Sequence, residues 1–259
     1  MQLIFRAVKA LFDCIITLIL WFYFIFGYCI FYIPVLLVMM PVIYDRGVMF
    51  QRINHYFYRG FFILLRLITP GLTIKINEHI ARLQSAVVVS NHRSYLDPLL
   101  MISIFPKHRT IVKGIFFKIP VMRWVMRSGG YIPFVQNGEL KNMMLAGIQG
   151  MPDFFKNGGV LFIFPEGSRS RNGALGDFKK GAFGIAEKFE VPVEVLYIDN
   201  TDRLFTPGRF FFNTCIRNSI TVEWLGTIHP DSNHNLKAKE MGDQAVRLYM
   251  NRINKTSAE

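Results

Sequence analysis

An α/β fold, with a central mixed sheet flanked by helices behind an N-terminal apolar helical segment, is the fold class this sequence predicts. Three observations carry it. Short apolar, β-branched runs alternate with helical patterns from about residue 71 onward, the signature of a sheet covered by helices. The stretch from Cys14 to Tyr44 holds no charged residue. The length of 259 residues allows one substantial domain plus an appendage. Thr69-Pro70-Gly71 marks the expected division, into membrane-associated helices over residues 1–70 and an α/β domain over residues 71–259.

The uncharged run comes first. As one helix it extends roughly 46 Å at about 1.5 Å per residue, against a hydrocarbon thickness of about 30 Å. It is too long for one comfortable span and too short for two, and Pro34 and Pro41 offer breaks. The next stretch, residues 48–68, places Phe50, Ile53, Phe57, Phe61, Leu64, Leu65 and Ile68 at helical spacing, with Arg52, Arg59 and Arg66 recurring on another face. That is an amphipathic helix whose arginines reach lipid headgroups. Arg6 and Lys9 precede the apolar run and Arg46 and Arg52 follow it, so the positive-inside bias favours neither side. A re-entrant hairpin with both ends cytoplasmic explains this; a true span is the alternative. The apolar region is too long for a cleaved signal peptide and lacks a small-residue cleavage pattern.

Beyond the boundary, residues 72–77, 86–90, 109–113, 160–164, 193–198 and 220–225 read as strands. Helices are expected at 96–105, 117–127, 139–156, 182–189 and 235–252. The formal charge of +12, with 51% apolar residues, suits a protein held against an anionic surface. The basic residues sit beside membrane-grade runs and no nucleic-acid recognition motif is present, which excludes nucleic acid as the partner and favours phospholipid. Cys14, Cys29 and Cys215 have no metal spacing, so no metal site is expected, and their odd number argues for a catalytic part on the reducing, cytoplasmic side. His55, His79, His108, His229 and His234 have no ligand-like partners and read as structural or solvated.

Two segments carry the chemistry. Asn91-His92-Arg93-Ser94-Tyr95-Leu96-Asp97 follows the apolar run Ala86-Val87-Val88-Val89-Ser90 and precedes a helix with Pro98 in its first turn. On spacing alone His92 and Asp97 also fit a surface or capping pair. On a loop leaving a buried strand, however, Asp97 can fix the imidazole tautomer of His92 and leave the other nitrogen as a general base. Phe164-Pro165-Glu166-Gly167-Ser168-Arg169-Ser170-Arg171 breaks sharply from the run at 160–164, with Lys179-Lys180-Gly181 just before the next helix. Guanidinium groups and backbone N–H groups there suit a phosphate, although a solvated basic loop has the same composition. The Walker order of residues is absent.

With these segments in place, the chain resembles the lysophospholipid acyltransferases that carry a His-x-x-x-x-Asp motif, typified by the 1-acyl-glycerol-3-phosphate acyltransferases. Asn91 to Asp97 is similar to the family's first block, and residues 113–134, with Ile119-Pro120 and Gly130-Tyr131-Ile132-Pro133, to its second. Phe164 to Ser170 is similar to the third and Val191-Pro192-Val193 to the fourth. The resemblance covers roughly residues 70–225. It implies a glycerolipid acyltransferase-like fold, a two-helix N-terminal membrane motif, and acyl-CoA or acyl-ACP as co-substrate with no resident cofactor. His92 and Asp97 are then the expected catalytic pair, and Glu166, Gly167, Ser168 and Arg169 the expected acceptor site, with Arg169 on the phosphate.

The chain departs from the family's pattern twice. Gln136 stands where members acting on glycerol-3-phosphate backbones usually have an arginine, and Glu194 stands where the fourth block usually has a second proline. The reaction expected is direct transfer of a fatty acyl group onto a lysolipid hydroxyl, 1-acyl-glycerol-3-phosphate first. Gln136 motivates another lysolipid acceptor, such as a lyso-aminolipid or a glycolipid. A membrane lipid-binding protein without catalysis is the reading from a different class, and the presence of both His92 and Asp97 argues against it.

Overall fold

A computed structural model describes residues 2–39, 46–169, 175–230 and 237–258. Pro41, Ser170, Arg171 and His234 lie outside the described residues. The chain begins with helix α1 (Gln2–Gly27), which runs through a π-helical turn (Tyr28–Tyr32) into α2 (Ile33–Met39); α3 (Arg46–Ile68) follows. Then come β1 (Leu72–Ile76), β2 (Ala86–Ser90), α4 (Leu96–Ile104), β3 (His108–Lys113), α5 (Pro120–Ser128), β4 (Ile132–Phe134), α6 (Leu140–Gln149) and α7 (Met151–Lys156). The last elements are β5 (Val160–Ile163), α8 (Gly181–Phe189), β6 (Val193–Asp199), α9 (Thr201–Leu204), β7 (Asn218–Ile228) and α10 (Ala238–Ala258). The strands form one seven-stranded sheet in the order β1-β7-β6-β2-β5-β3-β4. From β6 to β4 every pairing is parallel, so the expected α/β fold is the observed one.

By internal contacts the chain divides into two compact units. One comprises Met1–Ile76, Arg93–Pro106 and Ile198–Thr221; the other comprises Asn77–His92, Lys107–Tyr197 and Val222–Glu259.

In the first unit, α1 docks on α3 through aromatic side chains. The Tyr23 ring stacks on Phe57 at 4.9 Å, and its hydroxyl donates to the Phe57 carbonyl at 2.8 Å. Gly27 permits the approach, because a Cβ there would lie 3.0 Å from the Phe57 ring. Lower on α1, buried Asp13 accepts from Thr214 N at 2.8 Å and Thr214 Oγ1 at 2.7 Å. Lys9 pairs with Asp13 as well. Phe212 N donates to Thr17 Oγ1 at 3.0 Å. A charge buried on an otherwise apolar helix is costly unless paired and hydrogen-bonded, and these contacts satisfy it. The other face of α1 leaves Ile4, Val8, Leu11, Ile15, Leu18 and Phe22 exposed at three- and four-residue spacing. Residues Ile4–Ile30, of mean hydropathy 2.1, are long and apolar enough to cross a membrane.

Pro34 does not break the N-terminal helix as the sequence suggested. It sits in the first turn of α2, directly after the π-helical turn. A proline cannot donate to the carbonyl four residues back and its ring crowds that carbonyl; a wider π turn accommodates both within a continuous helix.

The second unit is built around β2, β5 and β6. Val87, Val89, Leu161, Val193 and Val195 are fully buried against Phe183 and Ala186 of α8 and Met241, Ala245 and Tyr249 of α10. Each such aliphatic side chain contributes about 1.5–3 kcal/mol of burial. The helix expected over 139–156 is two helices separated at Gly150, whose N–H caps the Ala146 carbonyl at 3.0 Å. Pro152, in the first turn of α7, cannot supply the next intrahelical donor. The helix expected from residue 117 instead starts at Pro120, since the residue before a proline is held extended: Ile119 has ψ 122°. Strand β4 was not legible at all.

Two buried groups set a pH window for stability. In α3, burial holds the His55 imidazole below its usual 6.5, opposed by the Ile102 carbonyl 3.1 Å from Nδ1. Burial also pushes the Tyr58 phenol up to about 12. The depressed histidine contributes stability that is present above pH 6.5 and lost as pH falls below it, because only the unfolded chain readily takes the proton. The raised tyrosine contributes stability that is present below pH 10.0 and lost as pH rises toward about 12. Urea midpoints measured against pH in detergent should fall at both limits; a midpoint flat across them contradicts these assignments.

Candidate active site

Strands β2 and β5 lie side by side and parallel, Val89 opposite Ile163. The two motif-bearing segments therefore leave neighbouring strands at their carboxyl ends, where open α/β sheets place ligands. His92 stands two residues beyond β2, and Phe164 directly follows β5.

In the second unit, one carboxylate ties the two segments together. Glu166 is buried; its Oε1 accepts the backbone N–H of His92 at 2.9 Å and its Oε2 accepts that of Gly176 at 3.0 Å. Charge-assisted bonds of this kind are among the stronger ones. The His92 ring, half-buried, stacks on Phe164 with centroids 4.3 Å apart. Backbone and ring are thus both held by the third block. Glu166, expected to shape the acceptor site, holds the backbone of the histidine loop and of Gly176.

Gly167 turns the chain with φ +67°, a left-handed conformation that favours glycine. A Cβ there would meet Lys179 Nζ at 2.7 Å, so the Lys179 ammonium lies over the turn. Ser168 is exposed beside it and Arg169 half-buried. This assembly of cations on a tight turn is suited to an anion.

Behind the histidine loop sits Tyr249 of α10, fully buried, whose hydroxyl is hydrogen-bonded to the Leu196 carbonyl and lies 3.4 Å from that of Val89. Burial, reinforced by the Glu166 charge, raises its phenol well above the usual 10. It remains a neutral donor to strand carbonyls.

The boundary between the two units falls between His92 and Arg93. In the first unit, Asp97 is fully buried at the start of α4. Its Oδ2 accepts from Arg93 N at 2.6 Å and Ser94 N at 2.7 Å, and its Oδ1 accepts from Thr201 Oγ1 at 2.6 Å. Arg93 is engaged by carboxylates, pairing with Asp199 and lying 3.6 Å from Asp202. The buried Ser94 hydroxyl donates to the Phe205 carbonyl at 2.8 Å; it closes a turn and is not placed as a nucleophile. Gln136 is exposed in the segment after β4. Among the described residues, no group of three or more His, Cys, Asp or Glu side chains could hold a metal.

Tyr249 and Lys179 belong to the second unit with His92, and Thr201 to the first with Asp97. Tyr249 and Thr201 carried no local signal, because their partners are distant in the chain; Lys179 was visible only as part of a basic doublet.

Glu166→Ala should lower kcat about 100-fold through displacement of His92, since misplacement of about 1 Å costs that much. It should also cost about 1–3 kcal/mol for each buried N–H left unpaired. Glu166→Gln, which keeps an acceptor oxygen, should recover part of both. Turnover and urea midpoints measured together check this, and an unchanged kcat in Glu166→Ala contradicts it.

The profile of the family described as "Acyltransferase" matches residues 71–198. Over 122 residues the chain is 38% identical to a chloroplastic 1-acyl-sn-glycerol-3-phosphate acyltransferase of Brassica napus, a match covering 47% of this chain and 35% of that protein. Over 196 residues it is 30% identical to the 1-acyl-sn-glycerol-3-phosphate acyltransferase of Saccharomyces cerevisiae, covering 73% of this chain and 61% of that one. The chain thus spans between about a third and three fifths of the length of these relatives. The crystal structure of the 1-acyl-sn-glycerophosphate acyltransferase of Thermotoga maritima superposes with a TM-score of 0.74 and 22% identity, covering 97% of this chain and 98% of that one. That likeness is one of fold.

Proposed function

We propose that the chain, whose residues 71–198 match the acyltransferase family, moves a fatty acyl group from acyl-CoA or acyl-ACP to the free hydroxyl of 1-acyl-glycerol-3-phosphate, giving phosphatidic acid. The observation that carries the proposal is the Glu166 clamp, which joins the His92 loop to the Gly167 turn and its cations at the ends of adjacent parallel strands.

His92 takes the proton of the acceptor hydroxyl as that oxygen attacks the thioester carbonyl. Asp97 orients the imidazole and stabilises its cation, a role supported by the five-residue spacing of the motif. The new ester forms as the carbon–sulfur bond breaks, and the proton held by His92 leaves with the thiol. Arg169 and Lys179 hold the acceptor phosphate. Purified protein assayed with a panel of lysolipids and both donor types tests this: 1-acyl-glycerol-3-phosphate should be the fastest acceptor. Faster turnover of a lysolipid with a larger headgroup, the reading Gln136 favours, would replace that acceptor.

The Ile4–Ile30 segment supports membrane attachment, and the odd number of cysteines without metal spacing argues for a catalytic domain on the cytoplasmic side. Acceptor and product are then taken from and returned to the bilayer laterally, without extracting a chain at about 0.8 kcal/mol per methylene. Hydrophobic insertion survives salt, whereas charge attraction is screened. Membranes should therefore retain the protein through a high-salt wash; release by salt alone contradicts insertion. Removing α1 is not a clean test, because Asp13, Thr17 and Tyr23 pack within the first unit.

A further inference from the structure

The segment from Gly114 to Ser128, between β3 and β4, presents an apolar surface outside the site described above. Ile115, Phe116, Ile119 and Trp124, with Phe134 of β4, are each 41% exposed or more. Interleaved with them are Lys118, Arg123 and Arg127, all exposed, and between Lys113 and Gly138 the chain has four cations and no acidic residue. Lys118, Arg123 and Arg127 also line a cavity of about 570 Å³ whose other walls include Phe117, Leu140 and Met143, with Glu139 contributing a carboxylate against the three cations. Arg123 is fixed there by donating from Nε to the Phe117 carbonyl at 2.7 Å. All of this lies within the second unit.

This combination selects its partner. A second copy of the chain would bring the same excess of positive charge to the contact. Nucleic acid would meet the cations but leave the isoleucine and phenylalanine side chains without an apolar neighbour. An anionic phospholipid surface satisfies both: acyl chains take the apolar side chains, tryptophan suits the headgroup boundary, and each cation near the surface gains attraction. We propose that Gly114–Ser128 is a second membrane contact, lying in the interface of an anionic bilayer with the Lys118–Arg123–Arg127 cavity seated on a phospholipid headgroup. The contact does not depend on the acyl-transfer reading.

Full-length protein carrying Trp21→Phe and Trp224→Phe leaves Trp124 as the only tryptophan. With phosphatidylglycerol vesicles brominated in the upper acyl chain, Trp124 emission should be quenched. The quenching should largely vanish in phosphatidylcholine vesicles brominated the same way, in Lys118→Gln/Arg127→Gln on either, and in Ile119→Asp, while all variants still float with vesicles through the N-terminal helix. The unmodified chain provides a second readout: tryptic cleavage after Lys118, Arg123 and Arg127 should be suppressed by anionic vesicles and not by neutral ones. Unquenched Trp124 on vesicle-bound protein, equal quenching on neutral lipid, or equal cleavage with and without anionic vesicles would overturn the proposal. So would cross-linking of two copies through this segment in the absence of lipid.

Discussion

Replacing His92 by alanine is expected to lower kcat about 10²–10⁴-fold and to leave the fold intact. The imidazole is half-buried and stacked on one face, while the loop is held through the His92 backbone, which alanine keeps. Asp97 needs a gentler substitution. Asp97→Ala would strand the Arg93 and Ser94 N–H groups and the Thr201 hydroxyl in a buried site, at about 1–3 kcal/mol for each group left without a partner. Asp97→Asn keeps an oxygen for the two N–H groups and an amide opposite a hydroxyl that can accept. It should lose most turnover with little loss of stability. In the proposed mechanism base and orienter act as a unit, so His92→Ala combined with Asp97→Asn should be no slower than the worse single variant. A double variant slowed by the product of the two losses refutes the coupling.

Arg169→Ala is expected to lower kcat/KM for the acceptor by about 2–4 kcal/mol, since contacts between a guanidinium and a phosphate are charge-assisted and, when partly desolvated, strong. Arg169→Lys should recover only part, because an ammonium cannot offer the bidentate fork. The donor KM should change little. Gln136→Arg is the complement: exposed after β4, an added guanidinium should be tolerated or helpful with a lysophosphatidate and harmful with a bulkier lysolipid. Steady-state kinetics with each substrate varied in turn decide the matter, and a selective rise in donor KM on Arg169→Ala would place that arginine on the thioester carrier.

What could be read in advance follows the range of the interactions. Strands β2 and β5 were legible because central parallel strands are buried on both faces and appear as continuous apolar runs. Strand β4 was not, since three residues including Pro133 give neither length nor donors, and it survives as the edge of the sheet. The His92 loop could be placed from the strand and turn that frame it. Its clamp could not: Glu166 is 74 residues away, and a buried carboxylate has the same local sequence whether it meets a substrate or a backbone amide. Asp13 is the extreme case. A single acid in an apolar helix gave no hint of its partner, Thr214, 201 residues on. Tyr249 lay on a helix the sequence did predict, but its contacts with β2 and β6 exist only in the folded sheet.

The central claim, direct acyl transfer at the His92 loop, is tested most directly by following both products in one reaction. Purified full-length protein is mixed with 1-acyl-glycerol-3-phosphate and an acyl thioester, and free thiol and diacyl lipid are quantified over time, alongside His92→Ala. The expected result is one thiol released for each phosphatidic acid formed, with both nearly abolished in His92→Ala. Thiol release without diacyl lipid, or unchanged product formation in His92→Ala, would contradict it.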